Sequence, residues 1–353
     1  MIEGKRIVLT GGAGFIGTTL TRLLADRNTM VVFDSLRRNA IGVTGLLGHP
    51  NVSFIQGDVL DRDAVTAAVR GANICVHLAA IAGIDTVIKS PTTTMRVNVV
   101  GTFNVLDALT ETLDSVERFV DFSTSEVFGS YAFRSEERHV TSLQPVGEGR
   151  WTYAVSKIAG EHMAHAYHDE FGLPTVSIRP FNIYGPGQVG EGAIHVFVKR
   201  AIAGDEVLIH GEGDQIRSWC YVDDMIAGIM LCLERPEAVG EVFNIGNPRG
   251  TVTIRSLAEK IVQLAGSPSV IRHIPKDYVD VELRIPSIEK AQRLLGYQPQ
   301  VDLDEGLRRT IAWYREKATG GPPAAGAQVA PGAGAPDEWK LRHAVTGEAT
   351  PET

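Results

Sequence analysis

Cysteine is scarce in this chain. Its 353 residues hold three, Cys75, Cys220 and Cys232, with no CxxC pair among them. That excludes a disulfide framework and a cysteine-ligated zinc centre, so no metal is expected, and the three thiols read as small buried hydrophobes. Long apolar runs are missing as well. Met1 leads almost at once into a strand and a glycine turn, without the layout of a signal peptide, and no stretch is long enough to span a bilayer. A cytoplasmic protein that does not enter a membrane is expected. Positive charge is short: 34 Lys and Arg against 42 Asp and Glu leave a formal charge of -8. With no net basic field, nucleic acid is not an expected partner, although a local pocket of arginines can still hold a diphosphate.

What is present is an alternation. Residues 6–10 (RIVLT) are a short apolar run that stops at Gly11, after which Ile16, Leu20, Leu23 and Leu24 repeat at helical spacing. Further strand-like runs lie at 30–34, 52–56, 74–78, 118–123 and 175–179, with intervals long enough for helices. Such alternation predicts an α/β fold, a doubly wound parallel sheet with helices on both faces. After Pro180 the pattern loosens into strands at 206–210 and 241–245 and helices at 194–203, 223–233 and 254–265, which predicts a smaller α/β lobe closing over the first. From about residue 318 onward Gly, Ala and Pro dominate without periodicity, so residues 318–353 are expected to form a disordered tail. There is no internal repeat.

The turn TGGAGFIG (residues 10–17) places Gly11, Gly14 and Gly17 between the first strand and the first helix, with Phe15 and Ile16 opening that helix. Glycine there lets backbone amides and a helix N-terminus approach a pyrophosphate. Asp34 ends the second strand about 20 residues later, where a carboxylate accepts from ribose hydroxyls and repels a 2'-phosphate. NAD is therefore favoured over NADP, even though Arg37 and Arg38 follow closely. Asp58 and Val59, after the third strand, are placed to meet the adenine edge. Leu78, Ala79 and Ala80 in HLAA are placed to line the dinucleotide after the fourth, with His77 as a packed strand residue.

Tyr153 and Lys157 in WTYAVSK stand one helical turn apart on one face. The pairing has a chemical use: an ammonium lowers the tyrosine pKa, so that a phenolate can take a hydroxyl proton as hydride leaves for a nicotinamide. The pair occurs together with the glycine turn, Asp34 and the hydroxyl-rich strand end STSEVFG (residues 123–129).

With these motifs in place, the chain resembles the extended short-chain dehydrogenase/reductase family of nucleotide-sugar epimerases, dehydratases and decarboxylases. The resemblance runs over roughly residues 5–315 and includes TGGAGFIG, HLAA, STSEVFG, YAVSK, RPFNIYGPG (179–187), RSWCYVDD (217–224) and FNIGNP (243–248). It implies a Rossmann-type NAD-binding domain over 1–180 that carries the Tyr/Lys helix, and a mainly nucleotide-sugar-binding lobe over 181–317. It further implies that Thr124 bonds the sugar 4-hydroxyl, that Tyr153 is the base and that Lys157 is its electrostatic partner. Ser125, Asn182, Arg217 and Arg284 would meet the diphosphate or the sugar, Asn98 in RVNVVGT would support the helix of Tyr153, and segment 194–210 would contact the base. A homodimer through helices near 95–110 and 153–170 is the family expectation. A dinucleotide-sensing protein without catalysis is the remote alternative, and such proteins typically lack the Tyr/Lys pair.

The resemblance also implies that a 4-ketosugar is made first, and the members of the family differ in the use they make of that ketone. Glu126 is the discriminating position, since a carboxylate beside C5 and C6 suggests chemistry there, whereas simple 4-epimerases usually carry a small or hydroxyl residue. If C6 is a carboxylate, oxidation at C4 gives a β-keto acid that loses CO2 with the help of an orienting cation such as Arg217. If C6 carries a hydroxyl, Glu126 can remove the C5 proton and eliminate water. Ser125 stands where many 4,6-dehydratases have Asp. GEGRWTYAVSK, GEVFNIGNP and DVELRIPSIEKA look like the matching segments of UDP-glucuronate decarboxylases, while YGPGQ sets Gly187 where those relatives carry arginine. Decarboxylation of UDP-glucuronate is the leading expectation, with a UDP-sugar 4-epimerase and an NDP-sugar 4,6-dehydratase as alternatives.

Overall fold

The computed structural model of the protein describes residues 2–143, 145–276 and 278–318. The segment expected to be a disordered tail lies outside them except for Ala318, which ends the helix Leu303–Ala318.

Strands β1 (Arg6–Thr10), β2 (Thr29–Asp34), β3 (Val52–Gln56), β4 (Ile74–His77), β5 (Arg118–Phe122), β6 (Thr175–Pro180) and β7 (Glu241–Ile245) form one parallel sheet in the order β7-β6-β5-β4-β1-β2-β3. Their runs are apolar on both sides, as a sheet covered on both faces requires. One face packs through Val8, Val31, Phe119, Leu106 and Met163. The other packs through Leu9, Val32, Val120, Ile178 and Phe243 against the helices Phe15–Leu24, Val222–Glu234 and Glu289–Leu295. This is the Rossmann-type fold.

The strand 241–245, grouped by sequence with the second lobe, is instead the edge of this sheet, pairing Glu241 to Val176 through Ile245 to Pro180. The second sheet has four strands in the order Thr251–Thr253, Ile216–Ser218, Leu283–Pro286 and Tyr131–Ser135. Its last strand comes from the first half of the chain, so each sheet borrows from the other's sequence. Strands Cys220–Tyr221 and Val207–His210 pair with Ile183–Tyr184 and Ile271–Ile274. Cys75, Cys220 and Cys232 are buried thiols. Among the described residues no helix is long and apolar enough to cross a membrane.

Two long helical courses cover β4 and β5. Pro91–Thr110 is interrupted by a π turn, Arg96–Val100, and Thr152–Phe171 runs 20 residues to a left-handed Gly172. Asn98, in the π turn, accepts from Ile81 N (2.8 Å) and donates to Ile81 O (3.1 Å) and the Ser156 hydroxyl (2.9 Å). It pins the loop after β4 to the first turns of the second helix. Asn98→Ala would leave these buried groups unpaired and is expected to cost about 1–3 kcal/mol, measurable by denaturant unfolding.

Candidate functional site

The carboxyl ends of the parallel strands open onto a cleft of about 470 Å³. Gly11 has φ +68°, and a Cβ there would lie 2.5 Å from Ala79 N, so the turn after β1 presses against the chain leaving β4. A Cβ on Gly17 would meet the Gly12 backbone at 2.5 Å. Gly14 is the N-cap of Phe15–Leu24 and supplies no side chain, which leaves the first amides of that helix for a ligand. The Asp34 carboxylate braces the turn, accepting from Ala13 N (3.0 Å) and Leu36 N (2.7 Å). Burial raises its pKa against the pull of these two bonds.

Every residue assigned to the cofactor from sequence borders this one cleft: Gly11, Gly14, Phe15, Ile16 and Gly17, then Asp34, Asp58 and Val59, then Leu78, Ala79, Ala80, Tyr153 and Lys157. Arg37 and Arg38 border it too. The Arg38 guanidinium donates to Ala82 O (2.7 Å) and lies 3.8 Å from Glu191. The cradle of tightly approached glycines and an uncapped helix start fits a dinucleotide.

Tyr153 sits at the mouth of the cleft in the first turn of Thr152–Phe171. Burial raises its pKa, and the charge of Glu126 adds to this, while a hydrogen bond with the Thr124 hydroxyl and the charges of Arg38 and Arg284 oppose it. The sequence led us to expect a lowered value; in the structure desolvation dominates. The buried Lys157 faces inward charges: burial lowers its pKa, and Asp121 and Glu161 resist the fall. Glu161 is held bidentately by Arg179 (2.8 and 2.7 Å) and accepts from Ser123.

Beyond Tyr153 lies a second group. Thr124 caps the short turn Ser125–Phe128 by accepting from Glu126 N (3.2 Å), and Ser125 is buried within that turn. The Glu126 carboxylate is 2.5 Å from Arg150 and 3.6 Å from Arg284. Asp280 lies 3.4 Å from Arg217, 3.8 Å from Arg150 and 3.6 Å from Lys276. Burial alone would push the Glu126 carboxyl up, but Arg150 and Arg284 more than cancel it and hold its pKa below the usual value. Burial, with repulsion from Arg284, brings Arg217 down to about 10. Among the described residues, the carboxylates paired with Arg150, Arg217, Arg284 and Lys276 are Glu126 and Asp280, and the Arg217 guanidinium also donates to Ile216 O (3.0 Å) and Val281 O. The buried Nε of Arg150 and the Nε and Nη2 of Arg284 have no hydrogen-bond partner.

Thr124, Ser125, Glu126, Arg217 and Arg284 are therefore gathered next to the cleft, joined to it through Tyr153. Asn182 also makes a structural bond. At φ +41° its amide donates to Ser218 O (2.9 Å), tying the chain after β6 to the second sheet. Sequence reasoning missed Arg150, Asp280 and Asp121. Arg150 stands three residues before Tyr153, and Asp121 is a carboxylate inside the otherwise apolar run FVDF (119–122), which is the signal that marks it.

Comparison with known proteins agrees with this geometry. Residues 7–246 match the model of the NAD dependent epimerase/dehydratase family. The chain is 31% identical over 322 residues to the UDP-N-acetyl-alpha-D-glucosaminuronate decarboxylase of Bacillus cytotoxicus, covering 88% of this chain and 98% of that one. It is 35% identical to a dTDP-glucose 4,6-dehydratase of Streptomyces niveus, covering 88% and 93%. Among solved structures, the UDP-glucuronic acid 4-epimerase of Bacillus cereus, in complex with UDP-glucuronic acid and NAD, superposes with TM-score 0.80 at 28% identity, covering 88% and 99%.

Gly11→Ala is expected to add about 1–3 kcal/mol of backbone strain and a collision with Ala79, and to weaken NAD binding about tenfold or more. Calorimetric titration with NAD, set beside thermal melting, checks this.

Proposed function

This chain belongs to the NAD dependent epimerase/dehydratase family and is an NAD-dependent enzyme that modifies a nucleotide-linked sugar; we propose that its reaction is the decarboxylation of a hexuronate, UDP-glucuronate first among them. The observation that carries this reading is the excess of cation around Glu126 and Asp280: the buried Arg150, Arg217 and Arg284, with the half-buried Lys276, against those two carboxylates. Buried guanidinium N–H groups without acceptors are costly; a substrate carboxylate at C6 would bring them two acceptor oxygens and a compensating charge, whereas a hydroxymethyl group would bring one neutral acceptor.

In this reading Thr124 and Tyr153 hold the 4-hydroxyl, and Tyr153 takes its proton. NAD, when bound, accepts the hydrogen and two electrons from C4, later returns them, and brings a cationic ring that favours the phenolate. With C4 a ketone, the C5–C6 bond breaks, CO2 departs, and the electron pair remains as an enolate whose oxygen is held by the Tyr153 and Thr124 hydroxyls. A proton then adds at C5, and the restored C4 alcohol recovers its proton from Tyr153, giving a nucleotide-linked pentose. Elimination of water fits less well, because a Glu126 carboxylate clamped by two guanidiniums is a weakened base toward the C5 proton. Epimerisation at C4 of the same uronate is the second reading, since the cation excess suits it equally; the likeness to the Bacillus cereus enzyme supports it.

The homodimer belongs to the same proposal. Val100, Phe103 and Val155, each at least 40% exposed, lie on the two helical courses expected to form the subunit contact. Phe103→Glu should convert a dimer into a monomer, as seen by light scattering on a sizing column.

Mass spectrometry of products, after incubation with NAD and separately UDP-glucuronate, UDP-glucose and UDP-N-acetylglucosamine, decides the reaction. Loss of CO2 from the glucuronate is expected. An unchanged mass with a shifted retention time would make the enzyme an epimerase, and loss of water from a hexose a dehydratase. Tyr153→Phe should lower kcat by roughly 100-fold or more and leave NAD affinity unchanged; a variant that keeps its rate would remove Tyr153 as the base.

A further inference from the structure

A row of polar side chains crosses the apolar sheet beneath the helix Thr152–Phe171. Thr10, His77, Asp121 and Ser177 are register partners on β1, β4, β5 and β6, and all four are at most 4% exposed. Neighbours in register on parallel strands share a face. Thr10 and Thr102 occupy the two ring nitrogens of His77, at 2.6 and 3.0 Å. Ser177 donates to Asp121 Oδ2 at 3.3 Å, and Asp121 Oδ1 has no hydrogen-bond partner among the described residues. The helix lies close on this carboxylate: a Cβ added at Gly160 would be 3.5 Å from Oδ1. Lys157 and Glu161 flank Gly160 on that helix, and both interact electrostatically with Asp121.

The charges around Asp121 sort themselves. Glu161 is matched by the fork of Arg179, which rises from β6, and by the Ser123 hydroxyl. His77 is neutral, since burial and the neighbouring Lys157 bring its pKa down to about 3. That leaves one ammonium and one carboxylate, both buried, for each other. We infer that Asp121 is the buried counter-charge of Lys157, a positioning residue that keeps the ammonium in place beneath the proton transfer at Tyr153. This rests on the reading that Tyr153 and Lys157 act together.

The consequence is a pH dependence with a definite sign. Burial holds the Asp121 carboxyl up at about 6 despite Lys157, so it is mostly ionised at neutral pH and loses its charge just below. Removing a negative charge lowers the proton affinity of every group that feels it. Asp121→Asn should therefore lower the pKa of Lys157, which feels Asp121 directly, and move the alkaline limb of the kcat profile to lower pH by about one unit. Asp121 borders neither the cleft nor the cluster around Glu126, so NAD affinity and KM for the sugar should stay within about twofold of wild type.

The experiment is the pH profile of kcat for wild type, Asp121→Asn and Lys157→Met with whichever of UDP-glucuronate, UDP-glucose and UDP-N-acetylglucosamine turns over, with thermal melting to confirm the fold. Asp121→Ser, also neutral and smaller, stands in if the amide does not fit beside Gly160. An acid-ward shift of the alkaline limb in the neutral variant supports the inference. A uniformly lower rate with that limb unmoved overturns it, while a collapsed Lys157→Met leaves the Tyr/Lys reading standing. Wild-type kinetics in Lys157→Met would overturn that reading and this inference together.

Discussion

An ammonium buried under a helix is the constraint around which this structure is arranged. Taking such a charge out of water costs several kcal/mol unless opposite charge and hydrogen bonds meet it. The Thr152–Phe171 helix that carries Lys157 is seated at several points: Asn98 of the π turn on Ser156, Gly160 over Asp121 of β5, and Glu161 on Arg179 of β6 and on Ser123. Those contacts fix the first turn of the helix, and with it the place of Tyr153 at the edge of the cleft.

Tyr153 stands between two electrostatic regimes. On the cofactor side, glycines and an uncapped helix start offer amides to phosphates, while Asp34 braces the turn by accepting from both sides of it. On the sugar side, guanidiniums outnumber carboxylates in a largely buried space. The phenol is held protonated by burial and by Glu126, so in the proposed mechanism it becomes a base only when positive charge is brought near. The architecture thus couples proton transfer to occupancy of the cleft, and this suits an enzyme whose ketone must not form without its cofactor.

The parallel sheet makes this convergence possible. Its strands all point their carboxyl ends the same way, so residues far apart in the chain, Gly11, Asp34, Ala79 and Ser123, arrive at one edge. The second sheet is built partly from Tyr131–Ser135, which leaves the main sheet just after β5. That crossing carries Glu126 toward Arg284, on a strand in register with it.

The sequence alone determined the elements whose signals are local. Apolar runs punctuated by glycine marked β1 to β6, the spacing of Tyr153 and Lys157 marked a shared helical face, and the cofactor residues follow strand ends because the turn after a strand is read from adjacent residues. What depended on partners distant in the chain had to wait for the tertiary structure. β7 was readable as a strand but not as the edge of the main sheet, since its run EVFNI is compatible with either neighbour. Ile216–Ser218, at three residues, is too short for a period to show, and Tyr131–Ser135 is exposed at Tyr131, Phe133 and Arg134 and carries no continuous apolar run. The partners of Glu126 come from residues 150 and 284, and the bond from Asn182 reaches Ser218 on the second sheet. Local pattern records what each segment buries; which charges face one another is decided only when register and packing bring the segments together.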